Sequence, residues 1–293
     1  MQAGGVASGV TVAGGGTQSV LASGQANSTT VASGGAQQIS AGGTATNTQL
    51  TGGLQQVAGL ASGVLVGSGS EQQIQSGGIA SNTTVNDQGQ QTISAGGSAV
   101  STTVNSGGVQ TLLSGGWANF TTINSGAEQR LFSGATALNT TISGGGAQTL
   151  MSGGITSNAV ISGGGVQNVS LGGQAFSATI NGGGKQQVFS GGTALDTVIN
   201  SGGVQSVGSG GTASRGVINA GGTQSVAVGG SALEASLAGG AQSVAGRAWR
   251  TQVSSGGLES VLANGQASGT VVSAGGAQSV ASGGTTFDTQ LLA

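Results

Sequence analysis

Histidine and cysteine are both absent from this 293-residue chain. Without them there is no imidazole base, no thiol nucleophile and no transition-metal ligand of the usual kinds, so chemistry would fall to carboxylates. Absence of cysteine also leaves nothing to mispair in an oxidising compartment. Charge is scarce: 5 basic and 7 acidic residues make up 4% of the chain, against about 25% in ordinary soluble domains. Ser, Thr, Asn and Gln must therefore keep it in solution. A net charge of −2 offers no basic footprint for nucleic acid or anionic membrane. No apolar run is long enough for a membrane-spanning helix, and the opening MQAGGVASGV does not read as a signal peptide. Neither a nucleic-acid partner nor direct membrane insertion is expected, and no residue set calls for a cofactor or metal. Aromatics are only 2%, so any core is built from small side chains and is thin.

What is abundant is glycine, 64 residues, within a chain that is 35% hydrophobic, mainly Ala, Val, Leu and Ile. Such a bias is compatible with disorder, but periodicity argues against it. Residues 97–115 read GSAVSTTVNSGGVQTLLSG and residues 192–210 read GTALDTVINSGGVQSVGSG. Copies begin at Gly5 and recur every 19 residues, except that those starting at Gly43 and Gly230 are 16 long; a partial copy starts at Gly284. Both short copies drop one residue before the central glycine pair and two after the second apolar position. Loops that vary over a fixed strand lattice are the mark of a solenoid.

Counting slots from the first glycine, slot 8 is aliphatic in every copy (Val104, Ile123, Ile142) and slot 16 equally so (Leu112, Leu131, Leu150). Branched aliphatics alternating with polar residues, with glycine pairs between, predict half-buried strands and tight turns. The expectation is an all-β fold, a right-handed parallel β-helix of about 15 coils with 19-residue rungs, spanning residues 1–293 as one solenoid. Slot 3 is nearly always Ala, which suits a narrow inner corner. Slot 6 is often Thr, on the same side as slot 8, and reads as a hydroxyl ladder. Slot 14 is Gln in all but one complete copy, Glu259 being the exception. Gln110, Gln129 and Gln148 are read either as stacked amides or as side chains bonding a turn backbone.

Candidate sites are few. Asp87, Glu71 and Glu128 fall in different copies and turns, which speaks against the paired carboxylates of a polysaccharide-active β-helix. Asp196, Arg215, Glu234 and Arg250 occupy slot 5 of four consecutive copies and read as a surface ladder of alternating sign. Leu113, Phe132 and Met151 share slot 17 and form a candidate self-association stripe, with packing at a corner as the other reading. Outward threonines at slot 7, such as Thr103, Thr122 and Thr141, keep an ice-binding surface open as an alternative.

The pattern G-x-A-x-x-T-x-V-x-x-G-G-x-Q-x-V, present as GGSAVSTTVNSGGVQTLLSGG from Gly96 to Gly116, resembles the stalk repeats of AIDA-type self-associating autotransporter adhesins. The resemblance covers essentially the whole chain. It implies a fragment of a longer passenger, exported across a Gram-negative outer membrane to the cell surface, that mediates adhesion, autoaggregation and biofilm formation without being an enzyme. Its implied partners are like chains, a surface receptor of unknown identity and a heptosyltransferase that modifies Ser or Thr. Turn serines preceding glycine would be the acceptors: Ser33, Ser106, Ser114, Ser125, Ser152, Ser190, Ser201 and Ser209.

Overall fold

The computed structural model describes residues 4–151 and 153–292. The chain forms two compact units, Met1–Thr141 with Gly146–Gln148, and Ile142–Gly145 with Thr149–Ala293. Both are built from short strands and turns, with no helix among the described residues.

Each full coil of the first unit gives three strands, at slots 2–4, 7–8 and 13–16. In the coil beginning at Gly97 they are Ser98–Val100, Thr103–Val104 and Val109–Leu112. Each pairs in parallel with its counterpart 19 residues on, Ala99 with Ala118, Val104 with Ile123, and Gln110 with Gln129. The second unit repeats the pattern: Ala194 faces Ala213, Ile199 faces Ile218 and Gln205 faces Gln224. Parallel strands need a crossover, and here the remaining two strands of the coil supply it. Three parallel sheets therefore wrap one core in each unit, and the two units together carry about fifteen coils of a parallel β-solenoid.

Strand alternation decides what enters that core. Slots 3, 8 and 16 point inward, and Ala99, Val104, Leu112 and Ile123 are fully buried. In the second unit Val207 and Val226 pack against Ala213 and Ala232, so slot 16 of one coil touches slot 3 of the next. Each buried branched aliphatic contributes roughly 1.5–3 kcal/mol. The space beside this partner suits a small side chain, alanine in nearly every coil and a fully buried threonine at Thr156.

Slot 14 also points inward, which puts a glutamine in the core of nearly every coil. Its amide is satisfied along the solenoid axis. Gln110 Nε2 donates to Gln91 Oε1 at 2.6 Å, and Gln91 Nε2 to Gln72 Oε1 at 2.7 Å. The slot 6 threonines do not bond one another, as a hydroxyl ladder would require. Thr121 Oγ1 donates instead to Gln110 Oε1 at 3.2 Å, and Thr102 to Gln91 at 3.2 Å. The Gln91 and Gln110 carbonyls thus each accept from two donors of the following coil, one in the third sheet and one entering the second. The turn backbone takes no part in these bonds. A second amide column lies at slot 9, where Asn105 donates to Asn86 at 2.9 Å and Asn124 to Asn105 at 2.8 Å.

Three left-handed corners close each full coil. Slot 5 has positive φ in every copy, from Gly9 at 65° to Asp288 at 52°. Asn, Asp, Ser and Gly hold twelve of these sixteen positions, as the left-handed region prefers; Phe120, Arg215, Glu234 and Arg250 are the others. Gly107, at slot 11, turns the second corner with φ 74°. The glycine after it is there for space: a Cβ on Gly108 would lie 2.7 Å from the Val85 carbonyl oxygen of the preceding coil. The two short coils keep all three strands and lose residues only at the second and third corners. In the first of them, Gln49–Thr51 runs almost directly into Leu54–Val57.

Candidate binding and modification surfaces

The corners carry the exposed polar residues. Ser33, Ser106, Ser125 and Ser201 stand at slot 10 on the second corner, and Ser114, Ser190 and Ser209 at slot 18 on the third. All seven are exposed; Ser152 lies outside the described residues. Each precedes a glycine with positive φ, such as Gly34, Gly107, Gly115 and Gly191. Glycine in the next coil has a second effect. A Cβ on Gly126 would approach Ser106 Oγ to 3.0 Å, and one on Gly210 would approach Ser190 Oγ to 2.7 Å. Leaving those Cβ atoms out keeps the serine hydroxyls uncrowded. Ser68, Ser76, Ser133 and Ser255 occupy the same two slots, are exposed, and also precede a left-handed glycine. Slot position makes them equivalent to the first set.

At slot 17, Leu113 and Phe132 lie one coil apart in the first unit, directly after the paired Leu112 and Leu131. Leu113 is exposed and Phe132 half-buried. Met151, half-buried, belongs to the second unit, as does the exposed Phe189.

The slot 5 charges form two ion pairs. Arg215 Nε and Nη2 hold the Asp196 carboxylate at 2.7 and 2.9 Å, and Arg250 lies 3.8 Å from Glu234. Hydrogen bonding from Arg215 lowers the Asp196 pKa below the ordinary carboxylate value, and the same contact raises that of Arg215. Both pairs are open to solvent, so they order the corner more than they stabilise it. Elsewhere Glu71 accepts from Thr92 at 3.1 Å and Glu128 pairs with Arg130 at 2.6 Å. Among the described residues no three acidic side chains gather into a metal-binding cluster.

Missing corner residues leave notches beside both short coils. In the first unit the notch is walled by Gln38, Gln56, Ala58 and Gln75. In the second unit it is edged by Val228, Ala245, Arg247 and Asn264.

Comparison with known proteins agrees with this architecture. The family described as "Adhesin of bacterial autotransporter system, probable stalk" matches residues 57–108. No curated protein matches the chain. Among solved structures, the crystal structure of a TibC-catalysed, hyper-glycosylated TibA fragment is 37% identical to it. That likeness has a TM-score of 0.85 and covers 97% of this chain and 99% of the other. Repeat pattern, three-sheet coil and near-complete overlap lead to one assignment: the chain belongs to the AIDA-type autotransporter adhesins, as stalk repeats of a passenger displayed at the bacterial cell surface.

Proposed function

We propose that this chain is a non-catalytic stalk whose corner serines accept O-linked sugars from a heptosyltransferase, and whose apolar slot 17 residues support self-association. The observation that carries the first part is the pair of serine columns. At slots 10 and 18 the hydroxyls are exposed, recur on the same two corners and face a glycine of the next coil. A glycosyltransferase reading one corner geometry would meet the same acceptor many times. The related TibA fragment is hyper-glycosylated by TibC, and it matches this chain over nearly its whole length. Ser33, Ser106, Ser114, Ser125, Ser190, Ser201 and Ser209 are the acceptors by this reading, with Ser152 beside them in sequence logic. Within each unit, three strands and a side-chain column at slot 14 bond successive coils, which suits a stem.

Coexpression with TibC followed by intact-mass measurement tests the acceptor role. Heptose-sized increments are expected, and replacing Ser106, Ser114 and Ser125 by Ala should remove up to three of them. An unchanged mass in the wild-type chain would end the proposal. For self-association, cells displaying the chain should settle faster than cells displaying a variant with Leu113 and Phe132 changed to Ser. Equal settling would remove slot 17 from the account.

A further inference from the structure

The short coil beginning at Gly230 lacks the residues that build out the third corner elsewhere, so the chain runs from Val244 through Ala245 directly to Gly246. Two adjoining depressions open there on the outer face of the first sheet, sharing Ser231, Arg247 and Gln266. Register arranges the walls. Ser231, Arg247 and Gln266 stand in the slot 2 column, while Leu233, Trp249, Ser268 and Phe287 stand in the slot 4 column. Trp249 is 56% exposed, and Phe287 lies two coils along in the same column, about 9.6 Å at the usual strand spacing. The chain has only two tryptophans and five phenylalanines, so two aromatics on one groove are a local concentration.

Charge is also unusual here. Arg130, Arg215 and Arg250 each pair with a carboxylate. Arg247 has no ion-pair partner among the described residues, and neither depression is lined by an acidic side chain. Trp249 is steadied from its corner side, where the Arg250 guanidinium lies 5.8 Å from the ring centroid and is itself held by Glu234. The notch of the first unit has amide walls and no aromatic or basic residue, so a short coil alone does not create these features.

We propose that this groove binds an acidic saccharide. An aromatic face takes the apolar face of a pyranose ring, an unpaired arginine takes a carboxylate with two parallel hydrogen bonds, and the polar side chains between them take hydroxyls. Trp249 is the stacking platform, with Phe287 two coils along for a second ring. Arg247 holds the sugar carboxylate, and Gln266, Ser231 and Ser268 meet the hydroxyl edges. An apolar peptide would satisfy the aromatics but leave the Arg247 charge without a counterpart.

The test is titration calorimetry on the purified chain with two sugar-carboxylate probes, tetragalacturonate and sialyllactose. Methyl-esterified tetragalacturonate and lactose serve as their neutral counterparts. At least one acidic probe should bind, with its counterpart weaker by about tenfold, the loss of one charge-assisted contact. Trp249→Ala should abolish binding and Arg247→Gln should erase the preference for the acidic probe, while Gln56→Ala in the other notch should change nothing. Thermal unfolding of each variant establishes that it is folded. Failure of both acidic probes, or equal binding of a neutral counterpart, would overturn the proposal. So would concentration-dependent association in sedimentation velocity that Trp249→Ala removes in the absence of sugar binding, because the groove would then belong to a second copy.

Discussion

Glu259 stands opposite Gln242 in the third sheet, at the slot where the other complete coils present a glutamine. Its Oε2 accepts from Thr270 at 2.9 Å and Gln278 at 2.7 Å, as a glutamine carbonyl would. Its Oε1 takes the place of the amide nitrogen that would donate to Gln242, and it has no hydrogen-bond partner. Glu259 is fully buried, and a buried polar atom left unbonded costs about 1–3 kcal/mol. Glu259→Gln should therefore stabilise the second unit by that order, read as a higher denaturant midpoint. An unchanged or lower midpoint would show that the ladder is already complete at this coil.

Breaking the column elsewhere should have the opposite effect. Gln110→Ala would strip the acceptor from both Gln129 Nε2 and Thr121 Oγ1 and leave the Gln91 carbonyl one donor short. Two or more unsatisfied buried groups predict a loss of about 2–4 kcal/mol. Ile123→Ala, which leaves a cavity in the same stretch of core, should cost about 2–5 kcal/mol. Comparable losses from the two substitutions would place amides and aliphatics on an equal footing; a near-neutral Gln110→Ala would contradict the hydrogen-bonded reading.

Phe120 sits at a slot 5 corner with φ 55°, where a bulky residue is strained, and it is 56% exposed. Phe120→Asn gives up little buried area and supplies the residue type that Asn82 and Asn139 provide at the same slot. A gain of about 1 kcal/mol is expected from relieved strain. Thermal melting checks it, and a lower melting temperature would mean that the phenyl ring packs more productively than its exposure implies.

The Asp196 carboxyl titrates below the usual carboxylate range because Arg215 holds its charged form. A pKa depressed in the folded state adds stability above the unfolded value, and that increment fades as pH falls through the folded one. The contribution is small, since the pair is exposed. In a carboxyl-resolved NMR titration, Arg215→Gln should move the Asp196 midpoint upward. A midpoint indifferent to the substitution would dissolve the pair in solution.

Much of the architecture is legible in the chain because its period is fixed. Equivalent slots such as Val104, Ile123 and Ile142 can be aligned by counting, and alternation then puts slots 8 and 16 inside. The Thr121 to Gln110 bond is not legible in that way, because it joins two sheets and exists only once the coil closes. Left-handed backbone at slot 5 left a faint trace in its Asn, Asp, Ser and Gly content. Phe120, Arg215, Glu234 and Arg250 mask that trace, because none of them is a residue type that favours left-handed backbone. Deletions near Gly43 and Gly230 were countable. That one of them opens a groove beside Trp249 and Arg247 depends on which corner retreats, which only the folded coil reveals.

The fold rests on equivalent residues stacking one coil at a time, and the distance between spin labels reads that directly. With labels at Ser33 and Ser106, both at slot 10 of the first unit, four coil steps predict a separation of about 19 Å. Moving the second label to Ser125 adds one step and should lengthen it to about 24 Å. Two distances that differ by one strand spacing are the predicted result; equal distances, or a separation that does not grow with coil number, would contradict it.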